Sequence, residues 1–258
     1  MKTILTIAGS DTSAGAGIQQ DLKTITALGH YAVTVPTALT AQNTVGVQRV
    51  MAVPDDMLRA QLDSVLSDIS VAAVKIGMIC SQSKIRITAG IIERYHLKNI
   101  IIDPVMLSTS GTQLMADECI DYIMQTLFPL CTLVTPNLPE ALRLSGLPAG
   151  SDAEAMGRRL VSMCGTAFLL KGGHAEGRLM RDILYCPDGE RHEYCSPRID
   201  SPNLHGTGCT LSSAVAALLA EGRSLPEAVA GAKALIDKGI AGGRALRIGR
   251  GNGPLWLF

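Results

Sequence analysis

Short apolar runs alternate along the chain with longer segments in which apolar residues recur at helical spacing. A short apolar run bounded by turn residues predicts a strand, and apolar positions at i, i+3, i+4 and i+7 predict a helix. Strands are expected over residues 4–8, 31–39, 45–53 (a short edge strand), 72–79, 99–105, 131–136 and 167–173. Helices are expected over residues 15–29, 57–69, 82–95, 116–128, 137–146, 152–164, 208–221 and 225–241. Residues 182–186 and 190–195 flank Pro187-Asp188-Gly189, a pattern that predicts a β-hairpin.

Particular residues indicate where these helices begin and end. Gly29 suits the position just after a helix, and Pro54 suits the first residue of one. Ser151 and Glu154 have the spacing of a capping box. The order of elements predicts one α/β domain over residues 1–258, with a mostly parallel central sheet. Ligands of such sheets bind outside the carboxyl ends of the strands, so the loops that follow strands are where chemistry is expected.

Composition and charge narrow the class of protein. Lys and Arg number 23, as do Asp and Glu, so no basic excess indicates nucleic acid or an anionic membrane as a partner. No apolar stretch reaches the roughly 18 residues of a membrane span, and the N-terminal apolar run ends at Gly9 as a first core strand would. The 7 cysteines form no C-x-x-C pair. Scattered cysteines of this kind are typical of a reducing cytoplasm rather than of a zinc site or a disulfide framework.

The segment HGTGCT (residues 205–210) runs directly into an apolar helix. Glycines at a helix N-terminus expose backbone N–H groups and the positive end of the helix dipole, which together bind anions. A tight turn capped by Thr207 or Thr210 explains the segment equally well. G-x-x-x-x-G-K-[ST] and G-x-G-x-x-G are both absent from the chain, so neither a Walker A loop nor a dinucleotide site is predicted.

Cys209 stands at the start of that helix, where the pKa of a thiol is expected to fall below its usual value. A nucleophilic cysteine needs a histidine partner that a third group orients, and the nearness of His205 in sequence does not guarantee that contact. The sequence therefore favours an inert or weakly basic thiol over a covalent nucleophile.

Other polar residues follow predicted strands. Asp103 and Lys171 are each the last residue of a predicted strand. They could organise a metal or phosphate site, or they could be ordinary strand-end residues. Glu140, with Asn137 beside it, could orient the water ligands of Mg²⁺, but the two residues also match a capping box, which taken alone is the more common explanation.

Two further polar positions are candidates for contact with a substrate. Asp21 could bind a substrate or be an exposed helix carboxylate. Gln42, with Asn43 beside it, could pair with an aminopyrimidine-like edge or serve in a turn. Considered together with the HGTGCT segment, the acidic residues and the lysine make the set that phosphoryl transfer requires, because that reaction depends on positioning and charge neutralisation.

Seven motifs of the chain resemble those of a known family, and they occur in the same order along this chain: TIAGSDTSAGAGIQQDLKT, TALTAQNTVGV, VKIGM, DPVM, TPNLPEA, KGGH and HGTGCTLSSAVAA. The family that the chain resembles is that of the hydroxymethylpyrimidine/phosphomethylpyrimidine kinases of thiamine biosynthesis, in the ribokinase superfamily. The resemblance implies a ribokinase-like three-layer α/β/α sandwich. It also implies phosphorylation of 4-amino-5-hydroxymethyl-2-methylpyrimidine (HMP), then of its monophosphate, with ATP and Mg²⁺. Homodimers are typical of the family.

The resemblance also implies roles for individual residues. Gln42 matches the residue that pairs with the aminopyrimidine, and Gly9, Asp21 and Met78 match the lining of that pocket. The Mg²⁺ and phosphate region matches Asp103, Asn137 and Glu140, with Lys171 as the phosphate-facing lysine. The anion hole for the transferred phosphoryl group matches Gly206, Thr207, Gly208 and Cys209, with Cys209 at the position of the aspartate base of sugar kinases.

Two departures from the family pattern leave the substrate preference open. Thr12 and Ala14 stand where the family usually has Pro and Gly, and the tail GNGPLWLF lacks the histidine-bearing ending of many members. Neither departure is expected to touch the proposed chemistry. A pyridoxal kinase of the same superfamily and a non-catalytic pyrimidine-binding protein are the alternative functions.

Overall fold

The structure is a computed structural model that describes residues 1–79, 81–106, 115–172 and 178–258. Cys80, Gly173 and His174, which belong to stretches discussed above, lie outside the described residues. The strands are β1 (Thr3–Ser10), β2 (Tyr31–Asn43), β3 (Gly46–Ala52), β4 (Ala73–Ile76), β5 (Ile100–Ile102), β6 (Leu133–Val134), β7 (Ala167–Leu170), β8 (Leu179–Tyr185) and β9 (Arg191–Pro197). The helices are α1 (Gly17–Ala27), α2 (Asp55–Leu66), α3 (Gln82–Arg94), α4 (Glu118–Thr126), α5 (Leu138–Ser145), α6 (Ala153–Cys164), α7 (Thr207–Ala220) and α8 (Leu225–Gly243), with a 3₁₀ turn at Phe128–Leu130.

All nine strands form one sheet in the order β3-β2-β1-β4-β5-β6-β7-β8-β9. The six strands from β2 to β7 in this order run parallel, whereas β3, β8 and β9 pair antiparallel at the two ends. The predicted mostly parallel sheet is therefore confirmed. Because the carboxyl ends of parallel strands share one edge, the loops that follow β1, β4, β5, β6 and β7 meet there.

Helices cover both faces of the sheet, which confirms the three-layer arrangement. One hydrophobic cluster joins one face to α2, α3, α4, α5 and α6, and a second joins the other face to α1, α7 and α8. Helix α7 is buried from Thr210 to Ala220, as expected of a helix that is apolar all round. Within the described residues, no helix has the length and apolar character that crossing a bilayer requires.

The ends of some elements differ from the sequence prediction. Strand β2 continues to Asn43 because its last residues pair with β3, and the register of this pairing shifts between Ala41 and Gln42. Pro54 is the residue before α2 rather than its first residue. Asp152 caps α6 by accepting a hydrogen bond from the Ala155 N–H, while the Ser151 hydroxyl donates to the Pro148 carbonyl. The predicted Ser151 capping box is therefore wrong by one residue.

A fully buried ion pair connects the sheet to the helices on one of its faces. Lys75 on β4 donates to both carboxylate oxygens of Asp21 on α1, at 2.7 and 2.8 Å, and neither side chain is exposed. Thr6 on β1 and Ser213 on α7 also donate to Asp21, at 2.5 and 2.8 Å. Burial lowers the pKa of Lys75, but the Asp21 carboxylate raises it by more, so Lys75 is a cation at neutral pH.

Replacement of Lys75 by Met is expected to lower the free energy of unfolding by about 3–5 kcal/mol, because it leaves the buried Asp21 charge without its cation. Urea titration measures the change. The matched control is Arg94→Met, which breaks an exposed pair with Asp63 and should change stability by less than about 1 kcal/mol. Similar losses in the two variants would contradict the importance given to the buried pair.

Candidate active site

One cavity of about 740 Å³ opens at the carboxyl edge of the parallel strands, a volume within the usual range for a small-molecule site. Its wall combines loops that follow β1, β4, β5, β6 and β7 with the start of α7. Of the residues predicted from the sequence, the cavity is lined by Gly9, Gln42, Met78, Asp103, Asn137, Glu140, Lys171, Gly206, Thr207, Gly208 and Cys209. Motifs that are far apart in the chain are therefore adjacent in space.

The HGTGCT segment forms an uncapped helix N-terminus. Gly206 precedes α7 with φ 86°, and no side chain caps the helix. A Cβ atom on Gly206 would lie 1.9 Å from the Gly15 carbonyl oxygen, so both the backbone conformation and the space require glycine. The Thr210 hydroxyl accepts a hydrogen bond from Gln20 instead of capping the helix. The capped-turn alternative is wrong, and the uncapped start of α7 lies at the cavity wall, as an anion site would require.

Asp103 and Lys171 form an ion pair beside this helix start. Lys171 Nζ lies 2.7 Å from Asp103 Oδ1, and both side chains are largely buried. Burial lowers the pKa of Lys171, but the charges of Asp103 and Glu140 raise it by more. Lys171 is therefore a cation at neutral pH. A Cβ atom on Gly208 would lie 2.8 Å from Asp103 Oδ2 and 3.4 Å from Lys171 Nζ. The pair and the anion loop therefore border the same small volume.

Asn137 and Glu140 form the capping box that their spacing suggested. Each donates its backbone N–H to the side chain of the other, at 2.9 Å in both directions. Both side chains also line the cavity, so capping does not exclude contact with a ligand. Burial raises the pKa of Glu140. The positive charge of Lys171 opposes this rise, and the negative charge of Asp103 adds to it.

The donor set at this point suits Mg²⁺ that is bound mainly through water. No group of three or more His, Cys, Asp or Glu side chains could hold a metal ion in the part of the chain that the structure describes. Mg²⁺ usually keeps several waters and binds through one or two carboxylates together with substrate phosphates. Asp103 and Glu140 are hard oxygen donors that face one cavity. They fit this mode of binding.

Cys209 differs from the sequence expectation in its ionisation. Burial raises the pKa of its thiol to about 11, with Lys75 opposing the shift. The Gly17 N–H, which hydrogen-bonds the sulfur, lowers the pKa but does not offset that burial. The expected lowering of the pKa is therefore wrong. The thiol is neutral at pH 7, which agrees with the prediction that Cys209 is not a covalent nucleophile.

Gly9, Met78 and Gln42 form the end of the cavity nearest β1. A Cβ atom on Gly9 would lie 2.9 Å from Met78 Sδ, so the methionine side chain occupies the space that a larger residue would take. The Thr37 hydroxyl donates to the Met78 carbonyl at 2.6 Å and fixes the backbone there. The Gln42 amide approaches Thr40 on one side and His205 on the other.

Asp21 does not line the cavity, contrary to the prediction. Its side chain has no exposed surface, because Lys75, Thr6 and Ser213 surround both carboxylate oxygens. Lys75, its partner, lies at the cavity wall. Asp21 therefore lies close to the cavity, as predicted, but its carboxylate points into the interior of the fold and not into the cavity.

Comparisons with known proteins identify the family to which the chain belongs. The family model for phosphomethylpyrimidine kinase matches residues 11–256. The hydroxymethylpyrimidine/phosphomethylpyrimidine kinase of Salmonella typhimurium is 45% identical over 98% of this chain and 96% of its own length. A thiamine biosynthesis bifunctional protein of Geobacter sulfurreducens is 47% identical over 98% of this chain, which spans 51% of that protein. The structure of Bacillus subtilis pyridoxal kinase with ADP has a TM-score of 0.90 at 33% identity, covering 100% of this chain and 97% of the other.

The chain belongs to the phosphomethylpyrimidine kinase family. The resemblance found in the sequence motifs is thereby confirmed, together with the fold class that it implied. The family provides the context for a phosphotransferase site, and the cavity described above is where its motifs meet.

Several cavity residues were not identified from the sequence. Asp11 is buried and accepts a hydrogen bond from His205 at 2.9 Å. Both residues stand in motifs that were recognised, GSDTSAGAG and HGTGCT, so their position beside glycines was an available signal. At the far end, the cavity is lined by Met180, Asp182, Lys233 and Ile236, on β8 and α8. These lie outside any recognised motif, and only the tertiary fold brings them to the cavity.

The departures from the family pattern do contact the site, contrary to expectation. The Thr12 hydroxyl accepts from the Gln42 backbone N–H at 2.8 Å. Asn252 in the C-terminal tail lines the cavity, and its side chain accepts from the Leu204 N–H at 2.9 Å. Both departures therefore help to hold residues of the site in place.

Replacement of Gly208 by Ala is expected to lower kcat/KM for phosphoryl transfer by about a hundredfold, because the added methyl group displaces Asp103 and Lys171 from the anion loop. Steady-state kinetics measures the loss. Gly90→Ala is the matched control, since Gly90 is also helical and has no atom within 4 Å of the added methyl. Full activity in Gly208→Ala would contradict the proposed crowding.

Proposed function

We propose that the protein phosphorylates HMP to its monophosphate, and the monophosphate to the diphosphate, with ATP as the phosphoryl donor. The observation that carries the proposal is that an amide reader, Gln42, shares one cavity with an uncapped helix N-terminus and the Lys171–Asp103 pair. The whole chain, 1–258, is the proposed unit of activity, because strands from both halves build the one sheet whose edge carries the cavity.

The roles of the residues follow from their positions in the cavity. Gln42 pairs with the aminopyrimidine edge, with Gly9 and Met78 against the ring. An oxygen of the substrate attacks the γ-phosphorus of ATP, and the bond to the bridging oxygen of ADP breaks. The N–H groups at Gly206, Thr207, Gly208 and Cys209 stabilise the charge on the transferred phosphoryl group, as preorganised dipoles do in a cavity shielded from water.

Lys171 and the acidic residues handle the remaining charge. Lys171, a buried cation, attracts phosphate oxygens as a point charge. Asp103 and Glu140, with Asn137 beside them, would hold Mg²⁺ largely through its water ligands. When bound, the ion would neutralise the charge of the ATP phosphates. The nucleotide itself occupies the end of the cavity between β8 and α8, where Met180 and Ile236 offer apolar surface to a base.

The assembly and location of the protein are also proposed. Leu39 and Met51 are paired across β2 and β3 at one end of the sheet, and both are exposed, by 43% and 57%. Paired apolar side chains beside an edge strand support a homodimer. The free thiols of the described cysteines support a cytoplasmic location. No nucleic-acid or membrane partner is proposed, since the net charge is zero.

A coupled assay of ADP release, run on HMP, its monophosphate and pyridoxal, tests the function. Turnover of both pyrimidines with higher kcat/KM than pyridoxal is the expected result. The similarity to a pyridoxal kinase structure makes pyridoxal the alternative substrate, and a preference for it would replace the proposal. Binding of HMP without ADP release would instead indicate a non-catalytic pyrimidine-binding protein.

Cys209→Ala should affect the two phosphorylation steps differently. In the first step the substrate alcohol must lose a proton, whereas the phosphate that attacks in the second step is already ionised at pH 7. Only the thiolate of Cys209 can accept that proton, and with a pKa raised to about 11 it is a small fraction of the thiol at pH 7. With Cys209 as the proton acceptor, kcat for HMP should rise with pH, and Cys209→Ala should lower kcat for HMP by about tenfold at about pH 9 and leave kcat for the monophosphate nearly unchanged. Cys195→Ala, at an exposed cysteine on β9, is the control. Equal losses in both steps would argue against a proton-accepting role for Cys209.

A further inference from the structure

Asp11, at the end of β1, organises the loop that follows it. Its carboxylate accepts hydrogen bonds from the N–H and hydroxyl of Ser13 and from the N–H groups of Gly15 and Ala16, at 2.7 to 3.2 Å. It also lies 2.9 Å from His205 Nε2, and only 3% of Asp11 is exposed. Although burial opposes it, the hydrogen bonds, led by that of His205, hold the pKa of Asp11 below its usual value.

The ionised Asp11 determines which nitrogen of His205 carries hydrogen. An unprotonated Nε2 would direct its lone pair at a carboxylate oxygen 2.9 Å away, so Nε2 must be the protonated nitrogen. The ring is also closely packed, because a Cβ atom on Gly15 would lie 2.3 Å from its Cδ2. His205 therefore presents an N–H group at a fixed place in the cavity wall.

The Gln42 amide lies between this N–H and the Thr40 hydroxyl. The position of its Nε2 is 3.3 Å from His205 Nε2, and the position of its Oε1 is 3.2 Å from Thr40 Oγ1. Thr40 has a single hydroxyl hydrogen, and the Ser10 carbonyl at 2.9 Å can only accept it. His205 Nε2 carries one hydrogen, which Asp11 Oδ2 accepts at 2.9 Å, so the amide at 3.3 Å can only share that hydrogen in a three-centre bond. An amide oxygen can share it and an NH₂ group cannot, whereas the lone pair of Thr40 accepts only from an NH₂ group. Hydrogen counting therefore assigns the amide oxygen to the His205 side and the NH₂ group to the Thr40 side.

We propose that Asp11 and His205 are a positioning pair that fixes the orientation of the Gln42 amide, and through it the orientation of the pyrimidine in the cavity. An aminopyrimidine edge presents a donor beside an acceptor, so a reversed amide would select a reversed ring. Only one orientation of the ring directs the hydroxymethyl group at the anion loop, which begins at Gly206, the residue after His205. The inference rests on the proposed function, because it assigns the pair to reading that substrate.

The backbone around the pair is held from both sides. The Thr12 hydroxyl accepts from the Gln42 N–H at 2.8 Å, and the His205 N–H donates to the Gly253 carbonyl at 3.0 Å. The amide and the imidazole are therefore attached to anchored main chain, and the remaining freedom is the orientation of the amide itself. That is the freedom which the proposed pair removes.

The first experiment determines the protonation of His205 in the full-length protein without substrate. Long-range ¹H–¹⁵N NMR distinguishes the two ring nitrogens, and the spectrum of His205→Gln assigns the His205 signals. Protonated Nε2 at neutral pH is the expected result. An imidazole with hydrogen on Nδ1 alone would overturn the pair, and this measurement does not depend on any activity.

The second experiment is a double-mutant cycle on substrate recognition. His205→Asn, which cannot reach Gln42, should raise KM for HMP about tenfold, because it leaves the amide free to reverse. KM for ATP should stay within about twofold, as expected of a residue that acts on the pyrimidine end alone. His205→Gln, whose amide N–H replaces Nε2–H, should restore KM to within about threefold of the wild type.

The same substitutions in a Gln42→Ala background complete the cycle. If His205 acts through Gln42, His205→Asn should raise KM no further in that background. An equal increase in both backgrounds, or a failure of His205→Gln to restore KM, would overturn the proposal. Absence of ADP release from both pyrimidines in the wild type would instead overturn the proposed function and the reading role with it, while the NMR result still decides whether Asp11 and His205 form the pair.

Discussion

The arrangement of the site depends on the buried Lys75–Asp21 ion pair. Asp21 receives hydrogen bonds from β1, β4 and α7, so four elements, including its own helix α1, converge on one carboxylate. A buried charge tolerates little displacement of its partners, because each lost hydrogen bond leaves an ion without compensation. The pair therefore ties α1 and α7 to the central strands β1 and β4. Cys209 lies where these helix starts meet, with the Gly17 N–H at its sulfur.

This arrangement gives a chain of zero net charge the local features that a polyanion site needs. The proposed anion site consists of backbone N–H groups at an uncapped helix N-terminus and one buried cation, Lys171. Nearby carboxylates on Asp103 and Glu140 would balance that positive charge and would supply oxygen donors to a divalent ion that accompanies the nucleotide. Because this site needs backbone N–H groups and a single lysine, and not an excess of basic residues, the composition of the chain did not indicate it.

The sequence predicted what depends on short-range chemistry. The spacing of apolar residues, together with turn residues and glycines, was enough to predict the order of the described strands and α-helices. The glycines of HGTGCT indicated the loop before α7, because the backbone of Gly15 lies too close to Gly206 for a side chain there. Properties that depend on burial were not predictable. The same residue type at Asp21 can face solvent, a ligand or a lysine, and only the packing of β4 against α1 decides. The pKa of the Cys209 thiol is likewise governed by desolvation, which outweighs the opposing charge of Lys75.

The loop of residues 11–16 shows how a site can accept unusual residues without losing its shape. Ala14 adopts φ 58°, a left-handed conformation that costs about 1 kcal/mol for a residue with a side chain. The Asp11 carboxylate offsets that cost with its hydrogen bonds to the loop, because together they determine the path of the backbone more strongly than any one residue type does. Thr12 then adds a contact to Gln42 that proline could not make through a hydroxyl. The loop is thus constrained by the Asp11 carboxylate and by Gly15, where a Cβ atom would lie 2.3 Å from the His205 ring, whereas Thr12 and Ala14 are accommodated without loss of these contacts.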